Sequence, residues 1–221
     1  MEERSLCWGR STEERDRIMD TSRTRNVAIV LYDGVEILDF AGPYEVFAAA
    51  AHSEGHPFEV FTIADHTDLI TSNAGLQLKP HHSFADHPPV DIIIVPGGGF
   101  SPDKPANQRL IQWVRDHDAS TELVTSVCTG AFALAGAGVL DGRQATTHWG
   151  SIDRMREGYP AIEVVEHARF VDTGHVVTAA GVSAGIDMAL HLIERLCGRD
   201  LAERVAHYME YDAKSREAAG V

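Results

Sequence analysis

Residues 122–140 have the sequence E-L-V-T-S-V-C-T-G-A-F-A-L-A-G-A-G-V-L. The short run Leu123–Val127 is rich in β-branched residues, which predicts a buried strand. Cys128 follows this strand directly, and Thr129 and Gly130 lead into an apolar helical pattern. A strand, one nucleophilic residue, small residues and a helix form the order of a nucleophile elbow, with cysteine here in the place of serine.

An elbow would place Cys128 at the N-terminal end of a helix. Free N–H groups and the positive end of the helix dipole favour a thiolate over a thiol at that position. Most free cysteines are instead small, buried hydrophobic residues. The local pattern leaves both interpretations of Cys128 open, so other segments must decide between them.

The composition excludes several classes of protein. With 221 residues, 44% of them hydrophobic, the chain can bury one well-filled core but is short for two domains. The cysteines Cys7, Cys128 and Cys197 are odd in number and far apart, so they predict no disulfide framework. No segment resembles a signal peptide or a membrane span, which favours the cytoplasm and no membrane partner. The formal charge of −14 repels phosphate backbones, so we expect no nucleic-acid partner.

Two regions of the chain differ in pattern. Residues 1–25 are charged, carry few apolar residues and show no sustained periodicity, so we expect a flexible N-terminal arm. Residues 26–221 alternate between strand and helix patterns, which predicts a single α/β domain. Strands are predicted at Val27–Leu31, Phe58–Ile63, Asp91–Val95, Leu123–Val127, Ala145–His148, Phe170–Asp172 and His175–Ala179. Helices are predicted at Asp39–Ala51, entered through Gly42 and Pro43, and at Asn107–His117, Ala184–Leu196 and Asp200–Tyr211.

Continuous apolar strands that alternate with helices indicate a mostly parallel sheet covered on both faces. In such sheets the ligand-binding crevice lies beyond the carboxyl ends of the strands. Cys128 and the run Pro96–Gly99 both follow strands, so we expect them at this edge. The N–H groups of Gly97 and Gly98, together with that of Thr129, are candidates to stabilise developing negative charge. An ordinary tight turn is the alternative for the two glycines.

Five segments occur in a fixed order along the chain: L-D-F-A-G-P at 38–43, V-P-G-G at 95–98, T-S-V-C-T-G at 125–130, T-T-H-W at 146–149 and A-G-V-S-A-G-I-D at 180–187. Together they resemble the ThiJ/PfpI superfamily, and within it most closely the isonitrile hydratases, over about residues 26–211. The resemblance implies a flavodoxin-like three-layer α/β sandwich, similar to the class I glutamine amidotransferases. The sensor-like domains of some AraC-type regulators share much of this pattern.

The resemblance implies that water is added to an organic isocyanide to give an N-substituted formamide, without a metal or an organic cofactor. Cys128 would be the nucleophile, Asp39 the acid/base and Thr129 a supporting residue. Attack by the Cys128 sulfur would give a thioimidate and so divide one difficult step into two. Asp39 would donate a proton during attack and accept one from the incoming water. The superfamily also implies a homodimer that takes a small-molecule substrate.

Structural roles are open for several residues of these segments. An acid at the position of Asp39 also suits a helix N-cap or first turn. In this superfamily a histidine in the T-T-H segment tends to lie near the cysteine, so His148 either tunes the thiolate or is a hydrogen-bonded structural residue beside Trp149. Ser183 lies in a pattern similar to a serine elbow, G-V-S-A-G, yet an N-cap for the helix from Ala184 is the better interpretation.

Differences from other branches of the superfamily exclude some of the activities that the superfamily contains. Protease-like and amidase-like members follow their cysteine with histidine, where this chain has Thr129. The glutamine amidotransferases carry a late His-x-Glu pair, whereas His191 and Glu194 have a different spacing. The sequence ends at Val221, soon after the last predicted helix, and is acidic, so we do not expect an intact DNA-binding regulator. The alternative to a hydratase is a non-catalytic or stress-related binding or sensor domain.

Overall fold

The structure, a computed structural model, describes residues 23–53, 55–101 and 104–211. Most of the predicted N-terminal arm and residues 212–221 lie outside the described residues. The first strand begins at Arg25, so the last residue assigned to the arm belongs to a strand of the domain. Arg25 is 2% exposed, and its Nε donates to Glu122 Oε2 at 2.7 Å. This ion pair fixes the start of the strand at the amino end of the sheet.

The described residues form these strands: β1 (Arg25–Val30), β2 (Phe58–Ala64), β3 (Ile70–Thr71), β4 (Gln77–Leu78), β5 (His82–Ser83), β6 (Ile92–Val95), β7 (Leu123–Val127), β8 (Gln144–Ala145), β9 (Glu163–Val164), β10 (Phe170–Asp172) and β11 (Val176–Ala179). One seven-stranded sheet has the order β10-β11-β7-β6-β1-β2-β5. All of its neighbouring pairs are parallel except β10 and β11. The remaining strands pair as β3 with β4 and β8 with β9.

Helices cover both faces of this sheet. They are α1 (Ile37–Ala51), α2 (Pro105–His117), α3 (Ala131–Ala137), α4 (Ile152–Gly158), α5 (Ala184–Cys197) and α6 (Arg199–Tyr208). The helices α1, α5 and α6 pack against one another, and α2 packs against α3. Strands β6, β7 and β11 are buried along their whole length, as strands between two helical layers must be. The predicted α/β class, a flavodoxin-like three-layer sandwich with a mostly parallel sheet, is confirmed.

The strand order has a topological switch point between β1 and β6. After β1 the chain moves to β2 on one side, and it later returns to β6 on the other side of β1. Such a topological switch point opens a ligand-binding crevice outside the carboxyl ends of the strands. The residues after β1, the loop after β6 and the elbow after β7 therefore converge at one edge of the sheet.

Helix α1 differs from the prediction at its start. It begins at Ile37, two residues before Asp39, and Pro43 lies inside it. Proline has no N–H and so removes the helical hydrogen bond to the carbonyl group four residues earlier, which is that of Asp39. Pro43 is the seventh residue of α1 and so lies beyond the first turn, where proline would remove no helical hydrogen bond.

The strand predicted over 145–148 is shorter in the structure, because β8 ends at Ala145. The Thr146 N–H donates to Thr178 Oγ1 at 2.9 Å, and the Thr147 hydroxyl donates to the Cys128 carbonyl at 2.8 Å. These side-chain contacts replace strand pairing and tie the segment to the end of β7.

Gly130 of the elbow packs closely on the end of β6, so a larger residue at this position should destabilise the fold. A Cβ at Gly130 would lie 2.0 Å from the Val95 carbonyl oxygen, a backbone atom that cannot move aside easily. We expect Gly130→Ala to destabilise the fold by about 3 kcal/mol and to lower the melting temperature by about 10 °C. Gly158→Ala is the control, because a Cβ there meets no atom within 4 Å. Equal melting temperatures for the two variants, measured by circular dichroism, would contradict this packing.

Candidate active site

Cys128 occupies a strand-to-helix elbow. It follows β7 and has a positive φ of 57°, which is uncommon for residues other than glycine. The Cys128 N–H donates to the Ala180 carbonyl at 3.0 Å, and the Cys128 carbonyl accepts from the Thr147 hydroxyl at 2.8 Å. Both peptide groups are thus held from neighbouring segments, which stabilises the strained turn and fixes the direction of the side chain.

Asp39 is buried in the first turn of α1. The Gly97 N–H donates to Asp39 Oδ2 at 2.9 Å, whereas the N-cap position of α1 belongs to Glu36, without a side-chain cap. The second oxygen, Oδ1, has no hydrogen bond of normal geometry with any described residue. The Cys128 thiol and the Val182 N–H nevertheless lie close enough to lower the pKa of the carboxyl group. Asp39 therefore faces the cysteine and does not cap its own helix.

Burial raises the pKa of both groups. Burial first, and then the charge of Glu36, raises the pKa of Asp39 from 3.8 to about 6. Burial, followed by the charge of Asp39, raises the pKa of the Cys128 thiol from 9.0 to about 12. The stabilisation of a thiolate expected from the helix terminus is outweighed by these two effects. These shifts favour a protonated sulfur beside an ionised carboxylate at neutral pH.

Gly97 and Gly98 bring the loop after β6 into contact with the elbow. A Cβ at Gly97 would lie 2.6 Å from the Thr129 nitrogen, and one at Gly98 would lie 2.2 Å from the Gly34 carbonyl oxygen. The Gly97 N–H binds Asp39, and the Gly98 N–H donates to the Thr129 hydroxyl at 3.0 Å. Both N–H groups predicted to stabilise developing charge are thus engaged within the protein. Here the glycines hold the side chains of the site.

The backbone N–H groups of Thr129 and Val182 are directed at the Cys128 sulfur, and both lower the pKa of the thiol. Val182 lies just before α5 with a φ of 49°, a costly conformation for a β-branched residue. The sequence analysis missed Val182, because nothing in one sequence marks a valine as having positive φ. Its only local signal is Gly181, which precedes it.

His148 packs against this turn. A Cβ at Gly181 would lie 2.4 Å from His148 Cδ2. The ring Nδ1 accepts a hydrogen bond from the Gly150 N–H at 3.2 Å, and the ring centroid lies 5.3 Å from that of the exposed Trp149. These contacts favour the structural interpretation of His148, which supports the backbone beside the thiol.

Ser183 occupies the N-cap position of α5, as predicted, but its side chain does not cap the helix. The Ser183 hydroxyl oxygen instead accepts a hydrogen bond from Arg169 Nη2 at 3.3 Å. Arg169 also pairs with the buried Asp187 of α5. The first turn of α5 is therefore anchored by a cation from a neighbouring segment, which the sequence could not reveal.

Tyr32 is a second residue that the sequence analysis missed. Its hydroxyl is buried and donates to the Pro96 carbonyl at 3.0 Å. Burial, followed by the charges of Asp39, Cys128 and Glu36, raises the pKa of Tyr32 well above its usual value. Tyr32 follows a predicted strand directly, so the rule that sites lie at strand ends contained the signal.

Two further findings concern ligands and membranes. Within the described ranges, no three His, Cys, Asp or Glu side chains are grouped to hold a metal ion. Histidines with acidic neighbours form pairs there, such as His175 with Asp118 at 2.8 Å and His191 with Asp172 at 2.7 Å. None of the described helices is long and apolar enough to cross a membrane.

Comparisons with known proteins identify a family and several similar proteins. The sequence profile of the DJ-1/PfpI family matches residues 25–195. Isonitrile hydratase from Pseudomonas putida is 37% identical over 185 residues, which are 84% of this chain and 78% of that protein. HTH-type transcriptional regulator CdhR from Pseudomonas aeruginosa is 32% identical over 179 residues, or 80% of this chain. The match covers 52% of the regulator, so the chain spans about half of its length.

A solved structure shows the same architecture. The crystal structure of a THiJ/PfpI family protein from Pseudomonas syringae has a TM-score of 0.75 and 26% identity to this chain. The match covers 98% of this chain and 86% of that structure. Sheet order, sequence profile and relatives all lead to one assignment: the chain belongs to the DJ-1/PfpI family.

Proposed function

We propose that this protein adds water to an organic isocyanide and releases an N-substituted formamide, with Cys128 as nucleophile and Asp39 as acid/base. The observation that carries the proposal is the buried Cys128 thiol at the strand-to-helix elbow, next to the buried Asp39 carboxyl group. The likeness to isonitrile hydratase over 84% of the chain supports it. Each step needs only these two side chains, water and backbone N–H groups.

In the first step the Asp39 carboxylate takes the thiol proton while the Cys128 sulfur attacks the terminal carbon of R–N≡C. The lone pair of that carbon then receives the proton from Asp39, so sulfur and hydrogen both end on it. The product is a thioimidate, R–N=CH–S–Cys128, and the carboxylate is regenerated. The N–H groups of Thr129 and Val182 stabilise the sulfur while it carries negative charge.

In the second step water adds to the carbon of the C=N bond. Asp39 accepts a proton from the water and passes it to the nitrogen, which gives the tetrahedral adduct R–NH–CH(OH)–S–Cys128 and regenerates the carboxylate. The hydroxyl group loses its proton as the carbon–sulfur bond breaks, which releases R–NH–CHO. The sulfur recovers a proton through Asp39, so the net reaction consumes one isocyanide and one water.

The surrounding contacts position this pair. The Gly97 N–H holds Asp39 Oδ2 and leaves Oδ1 for proton transfer. The Thr129 hydroxyl accepts from the Gly98 N–H at 3.0 Å and donates to the Gly98 carbonyl at 3.1 Å, which joins the loop after β6 to the elbow. In this proposal Thr129 supports the elbow, and His148 is a positioning residue.

The nucleophile can be tested by deletion of its sulfur. Cys128→Ala should reduce formamide production from cyclohexyl isocyanide to below about 1% of the wild-type rate, because no other group can form the thioimidate. Its melting temperature should stay close to that of the wild type. Cys197→Ala, which removes the half-buried thiol of α5, is the control and should keep full activity. Residual activity of more than a few per cent in Cys128→Ala would rule out covalent catalysis by this residue.

Asp39→Asn should lower turnover by about 10²-fold or more, the usual effect of losing a proton-transfer group. The same variant should be more stable than the wild type at neutral and alkaline pH. The pKa of Asp39 is higher in the folded protein, about 6 against 3.8, so the folded state binds the proton more tightly. Ionised Asp39 therefore costs stability above pH 6, and that cost disappears below about pH 4.

We thus expect Asp39→Asn to melt about 5 °C above the wild type at pH 8 and to lose this advantage in acid. Thermal unfolding across the pH range measures this difference. Near-normal turnover of the variant would contradict the acid/base role.

The wild-type pH profile gives an independent test. If Asp39 must be ionised to accept the thiol proton, kcat/KM should rise about tenfold per pH unit in acid and level off near pH 6. Steady-state kinetics between pH 4 and pH 8 measure this rise. A plateau that extends unchanged to pH 4.5 would show that Asp39 is not the base.

A binding domain without catalysis is the second candidate, and the likeness to the regulator CdhR favours it. In that case no isocyanide yields formamide, and the site serves only to hold a small molecule. Formamide assays with alkyl and aryl isocyanides, together with thermal-shift measurements of ligand binding, separate the two functions. Ligand binding by both the wild type and Cys128→Ala, without any turnover, would favour the binding domain.

A further inference from the structure

Glu36 is a carboxylate beside Asp39 that the proposed mechanism does not use. It directly precedes α1, and its N–H donates to the Gly97 carbonyl at 2.9 Å. The N–H of the same Gly97 holds Asp39 Oδ2. One residue of the loop after β6 therefore fixes the backbone of one acid and the side chain of the other.

The Glu36 side chain is held by the turn between β3 and β4. Asn73 Nδ2 donates to Glu36 Oε2, and the Asn73 N–H donates to the Val35 carbonyl at 3.0 Å. The Thr71 N–H also donates to Asp33 Oδ1 at 2.8 Å, which ties the same hairpin to the residues after β1. Glu36 is half-buried. Its charge is thus fixed at the edge of the site and does not extend freely into solvent.

This charge acts inside the site. It raises the pKa of Asp39 and that of the Tyr32 hydroxyl. Asp39 also raises the pKa of Tyr32, so two carboxylates act on this region. A negatively charged reactant would be repelled here, and the surrounding apolar protein weakens the screening of that repulsion.

We infer that Glu36 is a specificity-determining residue whose carboxylate, fixed by Asn73 and Gly97, favours isocyanides with neutral or positively charged substituents over anionic ones. The isocyanide part of this inference rests on the proposed function. The selection by charge applies to any reagent that reaches the Cys128 sulfur. One arm of the test therefore needs no turnover.

Iodoacetamide and iodoacetate supply that arm. Both form a carbon–sulfur bond at the thiolate and release iodide, and they are similar in size but differ in charge. The ratio of their rate constants at Cys128 cancels any change in the reactivity of the sulfur. We expect Glu36→Gln to raise the iodoacetate-to-iodoacetamide ratio at Cys128 about fivefold at low salt, as measured by mass spectrometry. The same ratio at Cys197 serves as the internal reference and should not change.

Two further variants sharpen this measurement. Asn73→Ala releases the Glu36 side chain and should raise the ratio in the same direction by a smaller factor. Glu45→Gln removes an equal charge from an exposed position on α1 and should leave the ratio unchanged. Added salt should bring the wild-type ratio toward that of Glu36→Gln, because it screens the carboxylate.

Substrates provide the second arm. Methyl isocyanoacetate is neutral and isocyanoacetate is anionic, so we expect Glu36→Gln to raise kcat/KM about fivefold for the anion alone. The variant should also shift the rising limb of the pH profile below pH 6, because Asp39 loses a like charge. The titratable groups facing Asp39 are Glu36, the Cys128 thiol and Tyr32, and the backbone N–H groups come from Gly97 and Val182. Of these groups, only Glu36 is altered in the Glu36→Gln variant.

The two arms separate failure of this inference from failure of the proposed function. An unchanged alkylation ratio in Glu36→Gln, or an equal change in Glu45→Gln, overturns the role of Glu36 whatever the substrate is. The expected alkylation shift without formamide from either isocyanide supports selection by charge and overturns the hydratase.

Discussion

Burial of a carboxyl group next to a thiol is the constraint on which the rest of the site depends. Removing an ionised carboxylate from water is costly, and a neighbouring thiol repays little of that cost. The Gly97 N–H supplies the one hydrogen bond of normal geometry to Asp39 within the described residues. That contact requires the loop after β6 to reach α1 across the switch point between β1 and β6. Because a Cβ at Gly97 would lie 2.7 Å from Asp39 Oδ2, only glycine permits the approach.

Two strained turns stabilise each other around the sulfur. Cys128 and Val182 both have positive φ, at a cost of about 1–3 kcal/mol for each. The Cys128 N–H donates to the carbonyl of Ala180, two residues before Val182. The elbow after β7 and the turn before α5 are therefore joined by a backbone hydrogen bond. This bond keeps the sulfur and the N–H groups around it in place. Each turn therefore helps to hold the other in its strained conformation.

The fold, and the placement of Cys128 and Asp39 near the carboxyl ends of strands, could be predicted because their signals are local. Apolar runs, small residues after Cys128 and the position of each segment at a strand end all lie within short stretches of sequence. The partner that distinguishes Asp39 from a helix cap is 58 positions away in the chain, so only the tertiary structure reveals it. Val182 and Glu36 escaped prediction for the same reason, whereas Tyr32 directly follows a predicted strand and so carried a local signal. A positive φ and the charge of a distant acid are products of packing, and they leave no mark in one sequence.

The protonated state of Cys128 has a consequence for the lifetime of the protein. Peroxides and other oxidants attack thiolates far faster than thiols, and each oxidation state beyond the first is difficult to reverse. With a pKa of about 12, the resting sulfur presents almost no thiolate at neutral pH. In the proposed mechanism its nucleophilic form arises only when Asp39 removes the proton during attack on a bound reactant. The burial that raises the pKa of Cys128 should therefore also slow the reaction of the resting sulfur with oxidants.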